Sequence, residues 1–253
     1  MNQLAINDVS LVISFALVLI AMAISMKEKL GLSKDIIYGV VRAVIQLTII
    51  GYVLKYIFQV DNIVLTLLMS LFIVFNASWN AYKRNPNQHK HYWKTLVAII
   101  ISTYVTISVL LLSGALKFVP SQVIPITGMV ANNAMIAIGL CYRNLYQQFH
   151  DQRQQVLEKL ALGADIKLAS RSILKSSIKI SVQPTVDSTK TVGLVSLPGM
   201  MSGLIFAGVD PVHAIKYQIM VSFMILATTS MGAIIAGYGA YKEYFNDHQQ
   251  FNN

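Results

Sequence analysis

The sequence predicts an all-α, polytopic membrane protein that crosses the bilayer about seven times. Of its 253 residues, 55% are hydrophobic and only 12% are charged, which is about half the charged fraction of an ordinary soluble domain. A soluble chain of this length could not bury so much apolar side chain. The apolar residues also form separate runs of about 20, the length that crosses the hydrocarbon core as a helix.

The predicted spans are separated by short polar segments. The second span contains Arg42 and is counted because the rest of its run is apolar. The seven predicted spans are 9–26, 36–58, 62–82, 95–116, 120–142, 190–209 and 215–241. The chain is therefore interpreted as one transmembrane domain over 1–253, multi-pass in the cell inner or plasma membrane.

The basic residues predict the orientation of these spans. No Lys or Arg precedes the first span, whereas Lys27, Lys29 and Lys34 follow it. Because cytoplasmic loops carry the excess of Lys and Arg, the N-terminus is expected outside and the C-terminus in the cytoplasm. With seven crossings, the cytoplasmic segments then hold sixteen of the 20 basic residues. The net charge of +9 is explained by this asymmetry, without a nucleic-acid partner.

The longest polar segment, 143–187, is predicted to be a helical cytoplasmic loop. The run from Arg153 to Leu162 is rich in helix formers, and Gly163 supplies a stop. Asp165 can cap a second, amphipathic helix, and Pro184 predicts its end. A short helix, a glycine and a second helix between two spans form a shape that can dock into the groove of a partner protein.

Two stretches resemble a known family of transport proteins. Glu158-Lys-Leu-Ala-Leu-Gly-Ala164 is similar to the Glu-Ala-Ala…Gly coupling loop of ABC-transporter permeases. The run 184–203, Pro-Thr-Val-Asp-Ser-Thr-Lys-Thr-Val-Gly-Leu-Val-Ser-Leu-Pro-Gly-Met-Met-Ser-Gly, resembles the signature of the bacterial iron-export ABC permeases, a family that includes the plant aluminium-tolerance permeases. The segments 207–211 and 216–220 continue the resemblance.

The resemblance implies a permease subunit that exports a metal ion such as iron and is driven by a separate cytoplasmic ATPase. It further implies two copies of this chain with two copies of the ATPase. No phosphate-binding loop of the form G-x-x-x-x-G-K-[ST] occurs in the sequence, so no cofactor is expected here, and ATP and Mg²⁺ are expected on the partner. The residues implied to dock into the ATPase are Glu158, Ala161, Leu162, Gly163 and Ala164.

A second group of residues is predicted to line the translocation pathway. Polar side chains within spans are costly unless they are paired, and a proline in a span frees a backbone carbonyl. The alternatives are structural: hydrogen bonding between helices for the asparagines, an interfacial ion pair, and close helix packing through Gly199 and Gly203. The candidates are Asn132, Asn133, Asp187, Lys190, Pro198, Gly199, Met200 and Met201.

The metal ligands stay unassigned by the sequence. No HExxH or CxxC spacing occurs, and the 11 Met residues carry thioether sulfur, which favours Cu(I) over iron. The alternative to an ABC permease is an ATP-independent channel or secondary transporter for a cation, which would be expected to carry more buried carboxylates. An intramembrane enzyme is disfavoured because no nucleophile–base or metalloprotease pattern lies in any span.

Overall fold

The structure is a computed structural model, and it describes residues 8–60, 62–86, 92–246 and 250–251. These residues form ten α-helices and one 3₁₀ helix, with no β-strand among them. The helices are α1 (Asp8–Ser14), α2 (Ala16–Lys27), α3 (Ser33–Val60), α4 (Ile63–Lys83), α5 (Tyr92–Leu112), α6 (Pro120–Asp151), α7 (Arg153–Ala161), α8 (Ile166–Thr191), α9 (Gly199–Phe206), α10 (Pro211–Ala240) and the 3₁₀ helix Tyr241–Tyr244.

Six helical segments in the described part of the chain are long and apolar enough to cross a membrane. They confirm the predicted all-α, multi-pass class and correspond to six of the seven predicted spans. Several are longer than predicted, because the helix continues beyond the apolar run into polar residues. The segments are Val9–Lys27, Ser33–Val60, Ile63–Lys83, Tyr92–Leu112, Pro120–Asp151 and Pro211–Tyr244.

Helices α6 and α10 are parallel and form the centre of the bundle. Near the middle, the Ile138 side chain lies 3.5 Å from the position that a Cβ on Gly232 would take. At their C-terminal ends, the rings of Phe149 and Tyr244 stack with centroids 4.2 Å apart. Since consecutive spans alternate in direction, two parallel neighbours require the chain between them to cross the membrane once more.

That additional crossing begins in α8, so the predicted span 190–209 needs correction. Gly237 of α10 faces Leu174 and Ile178 near the start of α8, and Thr189 near its end shares a cavity with Ser222 of α10. Helix α8 is therefore antiparallel to α10. Residues 190–209 are not a continuous helix. They comprise the last two residues of α8, an irregular segment at 192–198, α9, and the turn at 207–209.

Pro184 does not end the helix as predicted. It lies inside α8, although a proline in a helix interior removes one backbone hydrogen bond. The buried side chains of Ile173, Leu174 and Ser181 show that α8 packs against the rest of the bundle. This packing compensates for the lost bond, and the helix continues to Thr191.

Helices α4 and α5 complete the five-helix body, and hydrogen bonds between side chains join its members. Ser70 of α4 pairs with Tyr104 of α5 at 2.8 Å, and Thr106 of α5 pairs with Thr228 of α10 at 2.8 Å. Lys94, at the start of α5, forms an ion pair with Glu243 beyond the end of α10 at 3.0 Å. Helix α5 is thus antiparallel to α10.

One end of this body collects the basic residues. The antiparallel order brings together the ends of α4, α6 and α10 with the starts of α5 and α8. The basic residues there include Lys83, Arg84, Lys94, Arg143, Arg153, Lys159, Lys167, Arg171, Lys175 and Lys242. This is the end that the positive-inside rule assigns to the cytoplasm. Lys90, which also contributed to the predicted asymmetry, lies outside the described residues.

Candidate functional site

The helical hairpin at the basic end is built by a glycine and an aspartate. Helix α7 ends at Ala161, and Gly163 follows with a φ of +88°, a left-handed conformation that glycine adopts without steric cost. Asp165 then caps α8, its Oδ1 accepting a hydrogen bond of 2.7 Å from the Leu168 amide. The structure confirms the predicted helix, glycine stop and aspartate cap.

The tip of this hairpin is an exposed surface with apolar and basic character. Leu162 is 88% exposed, which is unusual for a large apolar side chain in an extramembrane turn. Beside it lies an open groove of about 650 Å³ that Leu162, Lys159, Arg171 and Lys175 help to line. Such a surface fits a partner that offers an apolar recess with acidic residues around it.

The five predicted docking residues lie together at this tip. Glu158 is exposed on the last turn of α7, where its Oε1 accepts a hydrogen bond from Gln154 at 3.1 Å. Ala161, Leu162 and Gly163 are exposed, and Ala164 is half-buried. The sequence therefore predicted the shape of this element correctly, while the docking role itself remains a prediction.

Helix α8 connects the hairpin with the interior of the bundle. Its 26 residues correspond to a length of about 39 Å, enough to pass from the cytoplasmic end well into the hydrocarbon core. Its buried face includes Ser170, Ser177 and Ser181. The opposite face carries the exposed charged residues Lys175, Lys179 and Lys190.

A polar cavity lies where the far half of α8 meets α6 and α10. It has a volume of about 300 Å³ and is lined by Asn133 of α6, Gln218 and Ser222 of α10, and the last turns of α8. Val192 and Pro198, at the two ends of the irregular segment 192–198, also line it. Non-helical backbone at membrane depth is tolerated where it lines a cavity or is covered by protein, and many transporters place their sites at such interrupted helices.

The predicted pathway residues divide between this cavity and other surroundings. Asn133 and Pro198 line the cavity, whereas Asn132 is exposed on α6 and Gly199 is exposed at the start of α9. Their role in translocation stays a prediction. The sequence interpretation missed five polar residues that line the cavity: Thr185, Ser188, Thr189, Gln218 and Ser222. A glutamine inside an apolar span was an available signal.

Asp187 and Lys190 form the predicted ion pair on the exposed side of α8. Their Oδ1 and Nζ atoms are 3.1 Å apart, and both side chains are more than half exposed. Gln183 donates a further hydrogen bond of 2.9 Å to the same carboxylate oxygen. The pair partly neutralises the two charges, and neither residue lines the polar cavity.

The methionines have mainly apolar surroundings. Met200 packs against a cluster that contains Val221 and Met224, and Met201 is buried. Met220, Met224 and Met231 line a separate apolar groove of about 550 Å³ between α5 and α10. Among the residues that the structure describes, no group of three His, Cys, Asp or Glu side chains could hold a metal ion.

The fold and these surfaces define a multi-pass helical membrane protein with a cytoplasmic hairpin and an interrupted crossing. The family described as "Uncharacterised protein family (UPF0014)" matches residues 8–245, and the chain belongs to this family. The chain is 56% identical to the "Probable iron export permease protein FetB" of Escherichia coli, over 99% of this chain and 96% of the relative.

Other relatives extend from bacteria to plants. The "UPF0014 membrane protein YjkA" of Bacillus subtilis is 38% identical over 95% of this chain and 96% of the relative. The "Protein ALUMINUM SENSITIVE 3" of Arabidopsis thaliana is 34% identical over 94% of this chain and 87% of the relative. No solved structure matches the chain significantly. The chain is thus a membrane permease of the UPF0014 family, as the resemblance in the sequence indicated.

Proposed function

We propose that this chain is the membrane subunit of an ABC exporter for a metal ion such as iron, driven by a separate cytoplasmic ATPase. The observation that carries the proposal is α8, a single helix that begins at the exposed hairpin tip and ends at the polar cavity. A displacement of the tip by a partner would therefore be transmitted directly to residues that line the cavity. The Escherichia coli relative, named as a probable iron export permease, supports iron as the cargo.

The hairpin is the proposed ATPase contact. Leu162 is the apolar anchor, and Lys159, Arg171 and Lys175 beside it favour an acidic rim on the partner. ATP and Mg²⁺ would be bound entirely by that partner, and this chain would contribute motion rather than hydrolysis.

The proposed assembly contains two copies of this chain. Leu194 and Val195 in the irregular segment are 90% and 83% exposed in the single chain, and this segment carries backbone groups that lipid cannot satisfy. A second copy packed there would cover them, and would place the two polar cavities on either side of a shared route.

The proposal is tested by expressing the chain with the ATPase encoded nearest to it and measuring co-purification and metal export from sealed vesicles. Leu162→Ser should abolish co-purification, because the anchor is lost while the fold, to which so exposed a side chain contributes little, is retained. The matched control is Leu112→Ser at the opposite end of the bundle, since Leu112 is also 88% exposed. Metal transport by the chain alone in liposomes would instead support the cation channel or secondary transporter.

A further inference from the structure

The segment that follows α10 has a defined shape at the basic end of the bundle. Phe245 and Phe251 form an antiparallel bridge, and their rings meet edge to face with centroids 5.6 Å apart. The Asn246 amide donates to the Gln250 carbonyl at 2.8 Å, and the Gln250 amide donates to the Asn246 Oδ1 at 2.8 Å. We call residues 241–246 and 250–251 the aromatic clasp.

The aromatic clasp surrounds the last turn of α6. Phe149, which is fully buried there, stacks on Tyr244 with centroids 4.2 Å apart. Its ring also meets Phe245 edge to face at 5.9 Å and lies 6.0 Å from Phe251. Stacked and edge-to-face rings attract each other beyond the effect of their buried area. Three rings of the clasp therefore hold one ring of α6.

The clasp also contacts α7, the first helix of the hairpin. Arg153 begins this helix, and its guanidinium carbon lies 5.7 Å from the centroid of the Phe251 ring, within the distance at which a cation is attracted to an aromatic face. Val156, almost one turn further on, is fully buried in the hydrophobic cluster that contains Phe149 and Phe245. The clasp thus bridges the junction between α6 and α7.

This junction consists of a single residue. Gln152 has a φ of −104° and a ψ of 20°, and its side chain makes no capping hydrogen bond. The Gln152 amide still donates to the Gln148 carbonyl at 2.9 Å, and the Val156 amide donates to the Gln152 carbonyl at 3.1 Å. Hinges are often a few residues at helix ends that absorb a change in φ and ψ. The direction of α7 therefore depends on side-chain contacts on both sides of Gln152.

We propose that the aromatic clasp positions the hairpin, with Phe251 and Arg153 as the positioning residues that hold α7 against α6 and the end of α10. The inference rests on the proposed ATPase contact, because the hairpin is the element that would meet the partner. The ion pair of the buried Glu243 with Lys94 ties the same clasp to α5. A hairpin that is already held in place loses less conformational freedom when the partner docks.

The first test follows the hairpin without the ATPase, in the full chain in lipid nanodiscs. Spin labels at Leu162→Cys and at Ile234→Cys on α10 report the distance from the hairpin tip to the body by pulsed electron paramagnetic resonance, since the native Cys141 is fully buried. Phe251→Ala should broaden the distance distribution, whereas Phe251→Tyr should keep it narrow because the ring is retained. Arg153→Gln, at an exposed position, should broaden it to a smaller extent.

The matched control is Phe58→Ala, the same change at an exposed position near the end of α3, which should leave the distribution unchanged. Arg153→Gln should also leave the unfolding temperature in detergent unchanged while it broadens the distribution, which a purely structural role would not do. Should Phe251→Ala fail to insert, Arg153→Gln decides alone. Equal widths in the parent chain and in the clasp variants that insert would overturn the proposal.

The second test adds the ATPase and measures its dissociation constant. This constant rises as the fraction of molecules with a correctly placed hairpin falls. Phe251→Ala should therefore weaken ATPase binding by about twofold to tenfold, the factor that corresponds to one aromatic contact, and Phe58→Ala should bind like the parent chain. A broadened distribution with unchanged affinity would overturn the positioning role. No ATPase binding by the parent chain would instead overturn the proposed function, on which this inference rests.

Discussion

Helices α3 and α8 have similar lengths and opposite surroundings. Helix α3 is apolar, and most of its described side chains are exposed on the surface of the chain; Ile57 alone among them is buried. Helix α8 carries Lys, Arg, Ser and Thr residues and buries an entire face against α6 and α10. In a membrane, apolar surface is stable against lipid, whereas the serines on the buried face of α8 are stable against protein.

This contrast separates two tasks within the chain. The segment 8–60 is held in the membrane mainly by its apolar surface, and it makes few contacts with the five-helix body. Helix α8 is held by specific packing, so its position depends on the atoms around it. Changes in α8 should therefore alter stability and transport, while equivalent changes in α3 should be tolerated.

The largest expected effect comes from the turn that joins α7 to α8. Gly163→Pro should abolish metal export, because proline fixes φ near −65° and Gly163 requires +88°. The comparison is Gly31→Pro, which meets the same conflict in the turn before α3, where φ is +73°. Export assays on vesicles with equal amounts of inserted protein should show loss only for Gly163→Pro; equal loss in both would contradict the distinction.

Truncation of a buried side chain in α8 should give the next largest effect. Ile173 is 1% exposed, and removing such a side chain costs about 2–5 kcal/mol. Ile49→Ala on exposed α3 should change stability by less than about 0.5 kcal/mol. Thermal unfolding in detergent measures both, and a smaller loss for Ile173→Ala than for Ile49→Ala would show that α8 is not packed as described.

Enlarging a glycine at the α6–α8–α10 contact should have a moderate effect. A Cβ on Gly237 would lie 3.1 Å from Ile178, 3.2 Å from Leu174 and 3.3 Å from Cys141. Gly237→Val should destabilise the protein by about 1–3 kcal/mol through overpacking. Gly51→Val on α3, where nothing lies within 4 Å, should be neutral or slightly stabilising in the same assay.

The smallest expected effect is the pH dependence of the cap on α10. Asp210 accepts hydrogen bonds from the His213 side chain and from the Val212 and His213 amides, and these lower its pKa below the ordinary aspartate value. Its contribution to stability is therefore present above the ordinary pKa and is lost as the pH falls through the lowered one. Unfolding followed between pH 6 and about 3 should show this loss, and Asp210→Asn should remove that part of the pH dependence; an unchanged profile would refute the assignment.

The sequence predicted the parts of the fold whose signals are local. Apolar runs identified six spanning segments, and Gly163 with Asp165 identified the hairpin. The helical path of α8 through Pro184 was not predictable in this way, because packing against α6 and α10 outweighs the local preference of proline. A polar crossing is also invisible to a search for apolar runs.

The candidate site was predictable only in part for a related reason. Asn133 and Pro198 were found individually as polar or unusual residues in spans. Their convergence with Gln218, Thr189 and Ser222 depends on α8 and α10 being antiparallel, which no single segment shows. The family resemblance supplied the transport class, while the cavity between α6, α8 and α10 required the three-dimensional arrangement.

The most direct test of the account is the side of the membrane on which each end of the 165–210 segment lies. Leu162→Cys and His213→Cys can be labelled separately with a membrane-impermeant thiol reagent in sealed vesicles of known orientation, since the native Cys141 is fully buried. The account predicts labelling of Leu162→Cys only from the cytoplasmic side and of His213→Cys only from the opposite side. Labelling of both from the same side would contradict it, because α8 and the segment after it would then not cross the membrane.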